Sequence, residues 1–299
     1  MPSTLKNWRI PIGKTRYNQT VFCNFNKVHH WKVAGATGSG KTEFLRYLVT
    51  YMCMKYSPDD VQFAIVDLKN GVSFAQFQWF PHVRGVYKTV PEAVSAIHAA
   101  HETMVERLQE VERLRAVFQP EPVYPRLIVL IDEGGELAPA NAVLDEDKEL
   151  RKAAMHLLSS VVRIGREPRV NIIYGTQRPD NDTLPVSIRG QMEGVFCFRT
   201  ENELDSKIVL RHEGAEKLPW IPGRYLYKSP LVKYDIEVQS PYIPDKVLRR
   251  IIQPLIRCES QRTATQQSDA MCTDNQMADG DDGIGLETRE KRRRWGRSE

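Results

Sequence analysis

The chain has 299 residues, 41% hydrophobic and 27% charged, a balance that supplies ample core material and excludes wholesale disorder. No apolar run reaches the roughly 18 residues that span a bilayer, and Met1 to Arg9 lacks the apolar stretch of a secretory signal. Lysines and arginines number 42 against 38 acids, a formal charge of +4, which permits nucleic-acid binding through a local basic surface without arguing for it.

Taken in order, strands and helices alternate through a block from about residue 8 to 256. Trp31-Lys32-Val33-Ala34 reads as a short strand, followed by a glycine-rich turn and a helix over Lys41 to Lys55. Val61 to Asp67 and Val83 to Tyr87 read as strands. From Pro91 to Phe118, apolar residues recur at three- and four-residue spacing, the pattern of one long amphipathic helix opened by proline. Leu127 to Ile131 is a continuous apolar strand, Lys148 to Gly165 a helix and Val170 to Tyr174 a strand. Further strands are expected at Val195 to Phe198, Tyr225 to Tyr227 and Val232 to Val238. Unbroken apolar strands alternating with helices predict an α/β fold whose mostly parallel sheet is covered on both faces.

The five cysteines, Cys23, Cys53, Cys197, Cys258 and Cys272, show no C-x-x-C spacing. That argues against a disulfide framework or a zinc site and points to a reducing cytoplasm. The segment 257–299 is polar and unpatterned, so a disordered tail is expected there. It ends in a basic cluster from Arg289 to Arg297, readable as a solvated terminus or as an electrostatic tether to DNA, acidic lipid or a partner.

Gly35-Ala36-Thr37-Gly38-Ser39-Gly40-Lys41-Thr42 matches G-x-x-x-x-G-K-[ST] in full and sits between a predicted strand and helix. In such a loop successive N–H groups face phosphate and the following helix adds its positive end. Lys41 is placed for the β- and γ-phosphates of ATP, and the Thr42 hydroxyl for Mg²⁺. Leu127-Ile128-Val129-Leu130-Ile131 ends in Asp132-Glu133. Asp132 is the candidate for the magnesium shell, and Glu133 the general base that polarises water. Gln177, after the strand Asn171-Ile172-Ile173-Tyr174, is the candidate to sense the γ-phosphate between them; the other reading is a turn cap.

These segments resemble the motor domain of the FtsK/SpoIIIE family of DNA translocases. The resemblance rests on Val33 through Lys41, Asp132-Glu133-Gly134-Gly135-Glu136-Leu137 and Thr176-Gln177-Arg178-Pro179. Phe198-Arg199 followed by Asp205-Ser206-Lys207, and Gly214-Ala215-Glu216-Lys217-Leu218, extend it over roughly Pro11 to Ile252. It implies a RecA-like ATPase that forms a hexameric ring around double-stranded DNA, with nucleotide at subunit interfaces. An arginine supplied in trans would stabilise transition-state charge; Arg166 is the candidate by family position and Arg163 the reserve.

Lys69, Arg178, Arg189 and Lys207 are candidates for DNA phosphate or simple surface charges. Only 34 residues precede Gly35, so a subdomain before the loop is expected to be missing or vestigial, and a DNA-reading module after Ile256 is not expected. Lys69 follows Asp67-Leu68 where relatives often carry Asp-Pro-Lys, and Glu167-Pro168-Arg169 stands where they tend toward small residues. The compact form points to a conjugative, plasmid or phage setting, with membrane or transfer-machinery partner proteins. The alternatives are a DNA-packaging or recombinase-like ATPase, or a nucleotide-switched module that recruits partners.

Overall fold

A computed structural model describes residues 6–256, apart from Asn70 and Asn181. The expected disordered tail, its basic cluster, Cys258 and Cys272 therefore lie outside the described residues. Fifteen lettered elements follow the chain: β1 (Arg9–Lys14), β2 (Thr20–Asn24), β3 (Trp31–Ala34), α1 (Lys41–Lys55), β4 (Val61–Val66), β5 (Val83–Tyr87), α2 (Val90–Ala116), β6 (Arg126–Ile131), α3 (Asp145–Ile164), β7 (Val170–Thr176), α4 (Val186–Arg189), β8 (Gly194–Phe198), α5 (Glu203–Leu210), β9 (Arg224–Lys228) and β10 (Ile236–Gln239). A final helix, α6, covers 245–256.

The strands form one sheet in the order β2-β1-β10-β9-β8-β3-β7-β6-β4-β5. The run from β8 to β5 is parallel, whereas β9, β10, β1 and β2 continue it antiparallel. The sheet is thus mostly parallel, with an antiparallel extension that the alternating pattern did not announce. Residues before Trp31, where the sequence reading placed no strand or helix, supply β1 and β2. Arg126 fastens this segment down: it donates to Asn26 Oδ1 at 3.0 Å and Asn171 Oδ1 at 2.8 Å and lies over the Trp8 ring at 4.7 Å. The strand expected at Val232 to Val238 begins only at Ile236, because the chain is still turning after Pro230, with Val232 N donating to Ser229 O at 3.2 Å.

Both faces of the parallel part are covered, which explains strands without polar alternation. On one face α1 packs an aromatic cluster, with Phe44 against Phe196, Phe198 and Tyr225, and Trp31 stacked on Phe196 at 4.8 Å. On the other, Ala64, Val66, Leu127, Val129, Ile131, Ile172 and Tyr174 pack with buried residues of α2 and α3. Each fully buried large apolar side chain there contributes roughly 1.5–3 kcal/mol. The long helix α2 starts where its chemistry dictates: Thr89 and Glu92 exchange side-chain and backbone hydrogen bonds in a capping box, with Pro91 in the first turn. Parallel order brings the carboxyl ends of β3, β7, β6 and β4 to one edge, and there the loops that carry the sequence motifs converge.

Candidate functional site: a phosphate loop facing paired acids

The loop from Gly35 to Thr42 joins β3 to α1 and is braced on both sides. Ala36 N donates to Arg199 O at 2.8 Å, after β8, and Gly223 N donates to Ser39 O at 2.8 Å, before β9. Gly40 is the residue this packing demands. Its φ is +94°, and an added Cβ would stand 2.4 Å from Gly223 N, so only glycine fits. The antiparallel strand β9 therefore shapes the loop, a contribution invisible in the loop's own sequence.

Lys41 is 3% exposed and points at the acids after β6. Its Nζ donates to Asp132 O at 2.6 Å and to Glu133 Oε2 at 3.3 Å, with Asp132 Oδ1 4.0 Å away. The Thr42 hydroxyl donates to Asp132 Oδ1 and Oδ2 at 3.1 and 3.2 Å. Burial pushes the Asp132 carboxyl above its ordinary range, against the pull of Lys41 and Thr42. For Glu133 burial also raises, but Lys41, the Gln177 amide and Lys69 outweigh it and hold the group below the usual carboxylate range.

Because β7 lies between β3 and β6, Gln177 arrives between the loop and the acids. Its backbone N donates to Glu133 Oε1 at 2.9 Å, and Thr37 Oγ1 donates to its side-chain Oε1 at 2.9 Å. One residue thus bridges the phosphate loop and Glu133. The sequence brought Lys41, Thr42, Asp132, Glu133 and Gln177 forward as a group, and they meet. Beside them is a polar cavity of about 570 Å³ with Thr37, Lys69, Glu133, Gln177 and Arg178 in its wall.

Two participants were not foreseen in their places. Lys69, considered for DNA phosphate, lies in this site with Nζ 3.2 Å from Glu133 Oε2. The reason is Asp67 at the end of β4, 0% exposed. Its carboxylate accepts from the amides of Phe74, Lys69 and Ser73, which curls the chain and turns Lys69 toward β6. A lysine two residues beyond an acid at a strand end, where relatives often carry Asp-Pro-Lys, was the available signal. The other carboxylate oxygen of Asp67 is buried without a partner; burial first, then the Asp132 charge, raises this group.

Arg166 does not join this group. It is exposed in the turn between α3 and β7, at the amino end of β7, whose seven residues separate it from Gln177 by about 20 Å. It lies instead near His29, whose imidazole is lowered to about 4 by burial, Arg126 and Arg166. Arg163, exposed in the last turn of α3, shares that edge.

The residues suit a magnesium nucleotide. Ser39 Oγ, inside the loop, is buried without a partner, an acceptor or donor awaiting a ligand. Among the described residues no cluster of three or more His, Cys, Asp or Glu could hold a metal. A hydroxyl and one carboxylate are the sparse donor set of a magnesium ion that keeps waters and substrate phosphates.

A parallel sheet with a strand-to-helix phosphate loop and an acid pair across one intervening strand defines a P-loop ATPase. The sequence profile of the FtsK/SpoIIIE family matches residues 5–173, and the chain belongs to that family. A DNA translocase FtsK of Leptospira interrogans is 28% identical over 263 residues, covering 83% of this chain and 27% of its own. One from Clostridium tetani is 27% identical over 259 residues, covering 83% and 33%. The chain thus spans about a quarter to a third of these relatives. Among solved structures, the pCW3 conjugation coupling protein TcpA, a monomer form with ATPγS, superposes with a TM-score of 0.73 at 25% identity over 86% of this chain and 72% of its own. The cytoplasmic domain of the Thermomonospora curvata type VII secretion ATPase EccC gives 0.67 at 23% identity, over 83% and 31%, a likeness of fold.

Proposed function

We propose that the chain is an ATP-hydrolysing motor that moves double-stranded DNA, working in the cytoplasm as a ring of copies, a hexamer by family pattern. The observation that carries this is the Thr37–Gln177–Glu133 bridge. It couples the phosphate loop to the base, as a machine that must register each hydrolysis requires and a static nucleotide-binding module does not.

In this reading the loop amides and Lys41 bind the β- and γ-phosphates, and arriving phosphate takes Lys41 from Glu133. Thr42 and Asp132 would hold Mg²⁺, which supplies charge neutralisation on the phosphates. Glu133, kept ionised, accepts a proton from water aligned on the γ-phosphate. Gln177 moves with the γ-phosphate through Thr37 and passes the change into the loop after β7. Arg166, too far to reach its own chain's site, serves the site of a neighbouring copy. The likeness to a conjugation coupling protein supports a role in transfer of mobile DNA with membrane or transfer-machinery partners; among the described residues no helix is long and apolar enough to cross a membrane.

The test is ATP turnover with and without linear duplex, for wild type beside Lys41→Ala. Strong stimulation by duplex that the substitution abolishes is the expected result. Turnover indifferent to DNA would overturn the motor reading in favour of a partner-gated ATPase.

A further inference from the structure

The middle of the sheet contains a residue that the nucleotide site does not use. β3 is bonded to β7 on one side and β8 on the other, and Lys32 stands in register with Tyr174 and Val195. Alternation turns Trp31 toward the α1 face and Lys32 toward the opposite face. A lysine inside a doubly flanked strand breaks the apolar pattern of its neighbours, and such breaks mark functional positions. Lys32 is 4% exposed. Its Nζ donates one hydrogen bond, to Arg189 O at 3.2 Å, and it makes no ion pair among the described residues.

What surrounds it is positive. Burial first, then Arg211, Lys228 and Arg189, lower the ammonium to about 8, with Cys197 a minor opposing influence. Nη1 of Arg189 is itself buried without a partner. Lys32, Arg189, Lys207 and Arg211 line a cavity of about 370 Å³ whose wall includes no acid. An adjoining cavity of about 470 Å³ shares Lys32 and Arg211 and adds Lys228; of its two acids, Glu193 and Asp235, the latter is paired with His212 at 2.9 Å. Lys207 is the least free of the cations, being paired with Glu203 and Glu213. Lys228 is opposite Val195 near the amino end of β8, so these groups gather toward the end of the sheet away from the phosphate loop.

We propose that this cavity is a second phosphate-binding site, in which Lys32 and Arg189 from within and Arg211 at the rim hold one phosphate group. A buried cation without a counter-charge is costly, and an anion is the compensation that retains it. Arginine's fork and a lysine point charge together suit a tetrahedral oxyanion. The same donors serve a phosphodiester of duplex DNA, a source that rests on the function proposed above, or a free phosphate.

Two variants test it. Lys32→Met keeps the length and removes the charge; Arg211→Asn removes a charge at a residue with φ +69°, where asparagine is tolerated. Duplex binding is followed by fluorescence anisotropy between 50 and 200 mM salt. A phosphodiester in the cavity predicts at least fivefold weaker binding in each variant and a log–log salt slope shallower by about one. Inorganic phosphate is then titrated in a thermal-shift assay on Lys41→Ala and Lys41→Ala/Lys32→Met. A rise in Tm confined to the first identifies free phosphate as the occupant. Wild-type duplex affinity and slope in both variants, with equal phosphate shifts in both backgrounds, overturn the site. Wild type that binds no duplex sinks the translocase reading alone, because the phosphate titration still decides the cavity.

Discussion

Replacing Lys32 by methionine should make the folded protein more stable at neutral pH, and the size of the gain can be worked from its surroundings. The ammonium titrates at about 8 in the fold, against about 10.4 in an unfolded chain. The depressed value means the unfolded state binds the proton more tightly. Below pH 8 the group is charged in both states and the full penalty applies, about 3 kcal/mol at 1.36 kcal/mol per pH unit. Between pH 8 and 10.4 the penalty fades, and above that it is gone. Methionine also forfeits the hydrogen bond to Arg189 O, worth about 1 kcal/mol. The net expectation is a gain of about 2 kcal/mol at pH 7 that shrinks steadily as pH rises toward 10, where it nears zero. Other groups titrate over this range, so the informative quantity is the difference between the two proteins. Urea unfolding at pH 7, 8, 9 and 10, in phosphate-free buffer without DNA, measures it. A loss of stability at pH 7, or a difference that does not change with pH, would refute the claim that Lys32 is held charged and unpaired.

Glu133→Gln should retain ATP binding and lower turnover by at least about a hundredfold, the scale of a lost general base, visible as trapped unhydrolysed ATP on the protein; unchanged turnover would remove Glu133 from the chemistry. Lys69→Met should weaken ATP binding by about fivefold, because arriving phosphate takes Lys41 from Glu133 and leaves that buried carboxylate without Lys69. The figure is about 1 kcal/mol, reduced because Lys69 is partly exposed, and Lys69→Arg should recover it; equal affinities in equilibrium binding would show that Lys69 is a bystander. Arg166→Ala should abolish DNA-stimulated turnover alone but regain part of it when mixed with Glu133→Gln, since mixed rings contain interfaces with both groups intact; a mixture as inactive as its components would exclude the trans role.

The nucleotide site was legible because its chemistry is local. Eight consecutive residues specify the loop, and two acids after an apolar run mark the strand beside it. The place of Gln177 followed from one further inference, that its strand is inserted between the other two. Less could be read where structure depends on distant partners. β1 and β2 are short and mixed in polarity; their place on the sheet depends on pairing with each other and on Lys14 opposite Gln239 of β10. Gly40 announces a loop, but nothing near it names Gly223, which closes against it. Lys69 reads as a surface charge until the buried Asp67 is seen curling its loop back toward Glu133.

Lys32 illustrates the same limit from the other side. In Trp31-Lys32-Val33-Ala34 a single lysine gives no sign of what surrounds it, even in a sheet expected to be covered on both faces. The sheet order, with β3 between β7 and β8, sets it beside Arg189, Lys207 and Arg211. The two phosphate-directed features then fall toward opposite ends of the same short strand, the loop after Ala34 and the cationic cavity around Lys32. In the proposed motor a nucleotide-driven shift of the phosphate loop would act on β3 directly, and β3 carries the lysine of the second cavity. If the cavity holds a DNA phosphate, hydrolysis and grip are connected through three residues of backbone. Double-variant measurement gives that connection a number: the factor by which ATP analogue alters duplex affinity in wild type should fall toward one in Lys32→Met, and an unaltered factor would place the coupling elsewhere.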